Sequence, residues 1–136
     1  MILEFTPLSE AQNEELETRL ELFDRAHTPE PREGHVSVGL LRDGKLLAGA
    51  DGVMTVYDIL YVSTVWVDKR FRGKGIGRAL MEEVERRGRL LGARLLRLDT
   101  FNWQGRDFYR SLGYEEVGAY SDPQQGFSEY FFLKRL

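Results

Sequence analysis

A glycine-rich turn near the middle of the chain is the feature that most constrains the fold. It reads Arg72-Gly73-Lys74-Gly75-Ile76-Gly77, between an apolar segment at 61–67 and an amphipathic segment that continues to residue 91. Glycine has no side chain and adopts positive φ readily, so alternate glycines allow successive backbone N–H groups to converge on one anion. The start of the following helix adds unpaired N–H groups and the positive end of the helix dipole. This combination of strand, turn and helix predicts a phosphate site.

The spacing of the turn excludes two common phosphate motifs. G-x-G-x-x-G requires a glycine at position 78, which is Arg78, and G-x-x-x-x-G-K-[ST] fails because Gly75 follows Lys74. The pattern R-x-x-G-x-G fits as Arg72, Gly75 and Gly77. In this pattern the chain resembles the GNAT superfamily of N-acetyltransferases, whose pyrophosphate loop for acetyl-coenzyme A reads Q/R-x-x-G-x-G/A. The alternative is a glycine-rich turn that binds no ligand.

A second motif downstream strengthens the resemblance. The GNAT pattern N-x-x-A-x-x-F-Y followed by x-x-x-G-F/Y is matched in register by Asn102, Phe108, Tyr109, Gly113 and Tyr114. Gly105 departs from it, since the family usually has alanine there. The resemblance covers about residues 48–136, and the first 35 residues carry little of it. The segment 98–104 further resembles a bacterial subgroup of small GNAT proteins.

Composition indicates an ordinary globular protein and excludes several kinds of chemistry. The 136 residues, 42% hydrophobic and 30% charged, predict a single domain over 1–136. Without cysteine there is no disulfide, no thiolate nucleophile and no cysteine-ligated zinc, and the isolated His27 and His35 do not suggest a metal site. No apolar run approaches the ~20 residues that cross a bilayer, so no membrane partner is expected. No basic leader is visible, and a cytoplasmic location is the default expectation.

Charge is distributed unevenly along the chain. Residues 1–34 hold nine acidic and three basic side chains, whereas residues 69–97 hold ten basic and three acidic ones. A basic half suits a ligand that carries several phosphate charges, and it also fits nucleic acid. The bases alternate with acids along a helix, however, and the segment lacks exposed aromatic residues for base stacking. We therefore expect no nucleic-acid partner, and the acidic first part predicts attraction of a cationic amine.

The hydrophobic pattern predicts an α/β fold with a mixed sheet. The run 59–67 is nearly continuously apolar and is expected as a central strand covered on both faces. Gly88 is expected to allow the longest helix to approach the sheet closely. The GNAT resemblance implies a mixed central sheet of about seven strands flanked by about four helices and splayed between its two central parallel strands. Strands are expected at 2–6, 36–41, 46–56, 59–67, 94–100, 114–120 and 127–133. Helices are expected after a capping box formed by Ser9 and Gln12, at about 75–91 with Gly92 as its terminator, and at about 104–112.

The same resemblance implies the residues that bind acetyl-coenzyme A. The pyrophosphate is expected on the backbone amides of the turn, and the pantetheine arm along the preceding strand as if it were an added strand. One N–H of that strand is expected to polarise the thioester carbonyl. The expected contacts are Val65, Trp66, Val67, Arg72, Gly73, Lys74, Gly75, Ile76, Gly77, Arg78, Asn102, Gly105 and Tyr109.

Three of these residues receive more specific roles. Tyr109 is expected to protonate the departing thiolate, because a phenol with a pKa of ~10 matches the basicity of the thiolate. Gly105 is four residues before Tyr109, so both share a helix face and the glycine lets the arm approach. Asn102 is expected to cap the helix and to hydrogen-bond the arm. The alternatives are a core aromatic for Tyr109 and a pure cap for Asn102.

Acetyl transfer to an amine also needs a general base. A primary amine with a pKa of ~10 arrives protonated, so a carboxylate or a water chain must remove its proton. Asp58 is the chosen candidate, because it begins the central strand, with Asp51, Tyr57 and Asp99 as further possibilities. A cysteine acyl-enzyme is excluded, which favours direct attack in a ternary complex.

These inferences lead to a main functional hypothesis and alternatives. The first is acetyl transfer from acetyl-coenzyme A to a primary amine of a small molecule or peptide. The acceptor is expected to be held by the first helix, the loop at 27–34 that contains Pro29 and Pro31, and the C-terminal hairpin that turns at 122–126. The second is a non-catalytic coenzyme A-binding sensor, and a nucleic-acid binder is the third. A homodimer is possible, paired through the apolar strand at 130–133.

Overall fold

The N-terminal part of the chain contains one helix. The computed structural model describes all 136 residues, which form two compact units, 1–30 and 31–136. In the first unit, α1 spans Glu10–Arg25. It starts at a capping box in which the Ser9 Oγ accepts from the Gln12 N–H at 3.2 Å and the Gln12 Oε1 accepts from the Ser9 N–H at 2.9 Å. No residue of α1 is buried.

The strand expected over residues 2–6 does not form. These residues have no regular secondary structure, and a strand exists only when another strand supplies its hydrogen-bond partners. Local apolar character is therefore not enough to make a strand here. That residues 1–136 form a single domain remains a prediction.

The second unit is built on a six-stranded mixed sheet. The strand order is β1-β2-β3-β4-β6-β5, and β3 and β4 form its one parallel pair. The α/β class with a mixed sheet is thus confirmed, whereas the sheet has six strands rather than about seven. The strands are β1 His35–Arg42, β2 Lys45–Met54, β3 Ile59–Val67, β4 Leu95–Phe101, β5 Glu115–Asp122 and β6 Phe127–Arg135.

Two helices accompany this sheet, so the chain has three α-helices rather than about four. Helix α2 spans Ile76–Leu90 and α3 spans Arg106–Ser111, and single 3-10 turns cover Val56–Asp58 and Lys69–Phe71. Gly92 follows the end of α2 with a φ of 93°, as a left-handed helix terminator does. No helix has the length and apolar character needed to cross a lipid bilayer.

The core lies where α2 packs on the sheet. The largest fully buried side chains are Phe132, Leu60, Met81, Leu96, Val36 and Val84, and each contributes about 1.5–3 kcal/mol by leaving water. The close approach expected at Gly88 is confirmed. A Cβ added there would lie 3.0 Å from the Leu60 Cδ2, so a larger residue would require the fully buried Leu60 side chain to move.

A buried ion pair joins α2 to β6. The Glu85 carboxylate is 4% exposed, lies 2.8 Å from the Lys134 Nζ, and accepts from the Tyr114 O–H at 3.0 Å. The Lys134 Nζ also donates to the Leu112 carbonyl at 3.0 Å. Burial, first, and the adjacent Glu85 charge raise the pKa of Tyr114 well above its usual range. Every polar group in the cluster is therefore satisfied.

The apolar C-terminal strand is an interior strand. β6 pairs with β4 on one side and with β5 on the other, so both of its backbone edges are occupied. The expected dimer edge at 130–133 is therefore wrong, since the edge strands are β1 and β5. Within this run Phe132 is buried and Tyr130 and Leu133 are partly buried by the chain itself, whereas Phe131 is exposed on the sheet face.

The parallel strands separate after a short paired stretch. Their register contains only Ile59 with Leu95, Leu60 with Leu96, and Tyr61 with Arg97, although β3 continues to Val67 and stays paired with β2 throughout. The β2–β3 register shifts between Asp51 and Gly52, and such a bulge increases local twist. The expected splay is present, and the second half of β3 is not covered on both faces as predicted: residues 63, 64 and 66 are exposed.

Candidate active site

A cleft opens where β3 and β4 part, and it has a volume of about 860 Å³. Its walls come from β3, the glycine turn, the start of α2, β4 and α3. Ten of the thirteen residues predicted to bind the coenzyme line it; Lys74, Ile76 and Asn102 do not. The lining residues are Val62, Ser63, Thr64, Val65, Trp66, Val67, Arg72, Gly73, Gly75, Gly77, Arg78, Leu98, Asp99, Thr100, Trp103, Gln104, Gly105, Phe108, Tyr109, Ser111 and Leu112.

The glycine turn forms a bare backbone surface at one end of the cleft. Gly73 and Gly75 have φ values of 75° and 81°, and no atom lies within 4 Å of a Cβ added to either. Ala79 donates to the Gly75 carbonyl at 3.1 Å, so the preceding amides at the start of α2 have no intrahelical acceptor. The third glycine differs, since a Cβ on Gly77 would lie 3.0 Å from the Phe108 ring. The turn therefore presents open space and free backbone amides of the kind that bind an anion.

Two arginines flank this surface. The Arg72 Nε donates to the Val67 carbonyl at 3.0 Å, and the Arg78 Nη2 donates to the Ser111 carbonyl at 3.4 Å. Both side chains line the cleft and are exposed, so their charges face an incoming anion. Lys74 lies 5.6 Å from the centre of the Phe71 ring, and the Ile76 side chain packs against the core. Neither side chain lines the cleft, although the exposed Lys74 adds a positive charge beside the turn.

Tyr109 places a phenol on the cleft wall beside the core. The residue is 7% exposed, and its ring contacts those of Phe108, Tyr114 and Phe132. Burial, and then the nearby Asp99 charge, raise the pKa of Tyr109 to about 12. The phenol therefore stays protonated throughout the neutral range and holds its proton more tightly than the sequence-based hypothesis assumed. It is suited to donating a hydrogen bond to a developing thiolate rather than to complete proton transfer.

The expected cap role of Asn102 is wrong, whereas the expected role of Gly105 beside the arm stays a prediction. Asn102 does not cap α3; its Oδ1 accepts from the Ser128 N–H at 2.9 Å and its own N–H donates to the Ser128 carbonyl at 3.0 Å. Gly105 is the residue at the N-cap position, and the Thr100 Oγ1 accepts from its N–H at 3.0 Å. A Cβ added at Gly105 would lie 3.1 Å from the Tyr109 ring. Asn102 thus fastens the loop to β6, and Gly105 makes room for Tyr109.

Asp58 is not in the cleft. It ends the turn before β3, with a φ of 58°, whereas the cleft begins at Val62. Its carboxylate pairs with the Arg32 Nε at 2.6 Å, and its carbonyl accepts from the Arg94 N–H at 2.8 Å. Asp58 therefore links the start of β3 to the segments that precede β1 and β4. The prediction of a catalytic role for Asp58 is wrong, because the residue lies outside the cleft.

Asp99 lies in the cleft, although the sequence pattern favours Asp58 as the general base and offers Asp99 only as a further possibility. It is the one carboxylate among the lining residues, and burial and the Glu129 charge raise its pKa above the ordinary aspartate value. Thr64, Trp103 and Gln104 were also missed as lining residues. Their position along the chain could have indicated them, because the residues of β3 and β4 that follow the last paired residues, Tyr61 and Arg97, face each other across the opening.

Comparison with known proteins agrees with this architecture. The model of the Acetyltransferase (GNAT) family matches residues 2–114, which extends the likeness further toward the N-terminus than the motifs indicated. The chain is 27% identical over 133 residues to a blasticidin-S acetyltransferase from Streptomyces morookaense, covering 96% of this chain and 97% of that protein.

Two solved structures share the fold. The crystal structure of an acetyltransferase from Bacillus cereus ATCC 14579 superposes with a TM-score of 0.90 at 28% identity, covering 98% of both chains. A Bacillus anthracis protein solved in complex with acetyl coenzyme A superposes with a TM-score of 0.63 at 15% identity, over 71% of this chain and 59% of that one. The chain belongs to the GNAT acetyltransferase family.

Proposed function

We propose that this protein transfers the acetyl group of acetyl-coenzyme A to a primary amine of a small molecule or peptide, by direct attack in a ternary complex. The observation that carries the proposal is that the bare glycine turn, the unpaired stretch of β3 and the Tyr109 phenol meet in one cleft. A diphosphate, an extended amide-bearing arm and a thiol end each have a matching surface there.

The residues divide the binding task among them. The amides of 73–78 are suited to the pyrophosphate, with the Arg72 and Arg78 charges beside them. The edge of β3 at Val65, Trp66 and Val67 is unpaired on the β4 side, so its backbone groups can pair with the pantetheine amides as a neighbouring strand would. An N–H on this edge would polarise the thioester carbonyl.

The relative named for blasticidin-S favours a small-molecule acceptor over a peptide. We therefore place small amines first in the search for the substrate. An acetylation assay over a panel of primary amines, read as release of free thiol, tests the function. Turnover with at least one amine is expected, and calorimetry should show coenzyme A binding without any amine. Binding without turnover on any amine would instead favour the coenzyme A-binding sensor.

Substitution of Gly75 separates ligand binding from folding. Gly75→Ala places a Cβ where the diphosphate is proposed to lie and removes access to at least one amide, and a hydrogen bond to a charged group contributes about 1.5–3 kcal/mol. We expect the affinity for coenzyme A, measured by calorimetry, to fall about tenfold or more.

Gly44 provides the matched control for this substitution. Its φ is 74°, nothing lies within 4 Å of an added Cβ, and it is not part of the cleft. Gly44→Ala therefore imposes a similar backbone strain of about 1–2 kcal/mol and should leave the coenzyme affinity unchanged. Equal affinities for both variants would contradict a diphosphate site at the glycine turn.

A further inference from the structure

Asp99 has a position that the binding of the coenzyme does not explain. Its neighbours along β4, Leu98 and Thr100, are buried, while Asp99 is exposed. Side chains alternate along a strand, so Asp99 faces the side of the sheet opposite to the core. It still lines the same cleft as Tyr109, because the splay opens the sheet from one side to the other.

Resting on the proposed acetyl transfer, we propose that Asp99 is a catalytic residue that removes the proton from the acceptor, and that the acceptor is a small primary amine arriving as a cation. The nearby Glu129 carboxylate supports Asp99 in this role through its negative charge. The reaction requires such a group, because a free primary amine has a pKa of ~10 and is protonated at neutral pH. Asp58 is excluded by its place at the other end of β3. Asp99 is the one residue lining the cleft whose side chain is a carboxylate, which can accept a proton from an ammonium group.

The surroundings of Asp99 form a small network on one face of the sheet. On β3, the Tyr61 O–H donates to the Asp99 Oδ2 at 3.4 Å, and on β4 the Arg97 guanidinium lies 4.2 Å from the centre of the Tyr61 ring. On β6, Glu129 pairs with Phe101, two residues along β4 from Asp99, so the two carboxylates lie on the same face of the sheet. Glu129 accepts a hydrogen bond from the Tyr120 O–H of β5. On α3, Tyr109 lies close enough to sense the charge of Asp99.

This network makes Asp99 a better proton acceptor than an ordinary aspartate. Partial burial is the main cause of its raised pKa, and the Glu129 charge is the second, while the Tyr61 hydrogen bond and Arg97 oppose them. Two adjacent carboxylates also attract a single ammonium group strongly, since its charge relieves their repulsion. The same pair therefore recognises the cation and takes its proton.

The proton and bond balance is simple. The ammonium gives one proton to the Asp99 carboxylate, which returns it to solvent. The neutral amine forms the new C–N bond at the thioester carbonyl carbon, and the C–S bond breaks with its electron pair leaving on sulfur. The second amine proton ends on solvent or on the thiolate, which the Tyr109 phenol stabilises by a hydrogen bond.

The test compares the pH dependence of kcat/KM for the amine, at saturating acetyl-coenzyme A, in wild type and variants. Asp99→Asn should lower kcat/KM at pH 7 by about tenfold to 100-fold, with recovery as the pH approaches the amine's own pKa. Glu129→Gln should shift the loss of kcat/KM on acidification to lower pH, because the substitution removes the charge that raises the pKa of Asp99. Glu115→Gln, an exposed carboxylate on β5 outside the cleft, should match wild type.

A second readout needs no turnover. A carbon-13 titration of the carboxyl groups in the ligand-free protein should show Asp99 titrating above 3.8, its ordinary value, and shifting downward in Glu129→Gln. Turnover with unchanged pH profiles in Asp99→Asn would overturn the role of Asp99 alone. Coenzyme binding without turnover in wild type would overturn both this role and the acetyl transfer itself.

Discussion

Replacing Tyr109 by phenylalanine should lower kcat by about 10²–10³-fold, the usual loss when one preorganised hydrogen-bond donor to a developing charge is removed. The ring stays, so its contacts with Phe108, Tyr114 and Phe132 are kept. The loss should therefore appear in kcat, while the affinity for coenzyme A changes by less than about twofold and the melting temperature stays near that of wild type. Single-turnover thiol release and calorimetry measure the two quantities separately.

The pH profile gives a further check on Tyr109. Because burial raises its pKa to about 12, the phenol keeps its proton well above neutral pH, and wild type should show no alkaline loss of kcat from this residue below about pH 11. Tyr130→Phe is the matched control, since Tyr130 packs under the Arg106 guanidinium at 3.9 Å and does not line the cleft. Equal turnover of both variants would remove Tyr109 from the mechanism.

Replacing Glu85 by alanine should destabilise the fold by about 3 kcal/mol, because it leaves the largely buried Lys134 ammonium without its counter-charge. The same change removes the acceptor of the Tyr114 O–H. For a chain of this size the melting temperature should fall by about 10 °C. Chemical denaturation with a constant m-value would confirm that stability, rather than compactness, has changed.

Glu83 supplies the control on the same helix. Its carboxylate pairs with Arg86 at 2.6 Å and with Arg87 at 2.8 Å, on the exposed side of α2. Water already solvates these charges, so Glu83→Ala should change the free energy of unfolding much less than Glu85→Ala does. Similar losses in the two variants would show that helix propensity, not the buried pair, explains the effect of Glu85.

The sequence was sufficient for features that depend on local pattern. The Ser9 capping box, the close approach at Gly88 and the terminator at Gly92 follow from residue type and spacing, and the structure has all three. The glycine turn at 73–77 also appears where predicted, between β3 and α2. For the capping box and the terminator the physical cause acts within a few residues along the chain. At Gly88 the missing side chain allows a close approach to Leu60, which is distant in the sequence.

Features that depend on strand order were not accessible from the sequence. The apolar run at 130–133 reads the same in an edge strand and in an interior one, and only the position of β6 between β4 and β5 decides. The choice between Asp58 and Asp99 depends on which end of β3 separates from β4. Asn102 likewise binds the β6 backbone at Ser128, a partner that no local pattern indicates.

The glycines of the turn do not all serve one purpose. Gly73 and Gly75 leave room for a ligand, but the space beside Gly77 is already filled by the Phe108 ring of α3, 3.0 Å from where a methyl group would be. Because Gly77 lies in the first turn of α2 and Phe108 in α3, the absent methyl at 77 sets how near these two helices come at this point. An alanine at position 77 would push the Phe108 ring away from α2 and widen the entrance of the cleft, while every amide of the turn remained free.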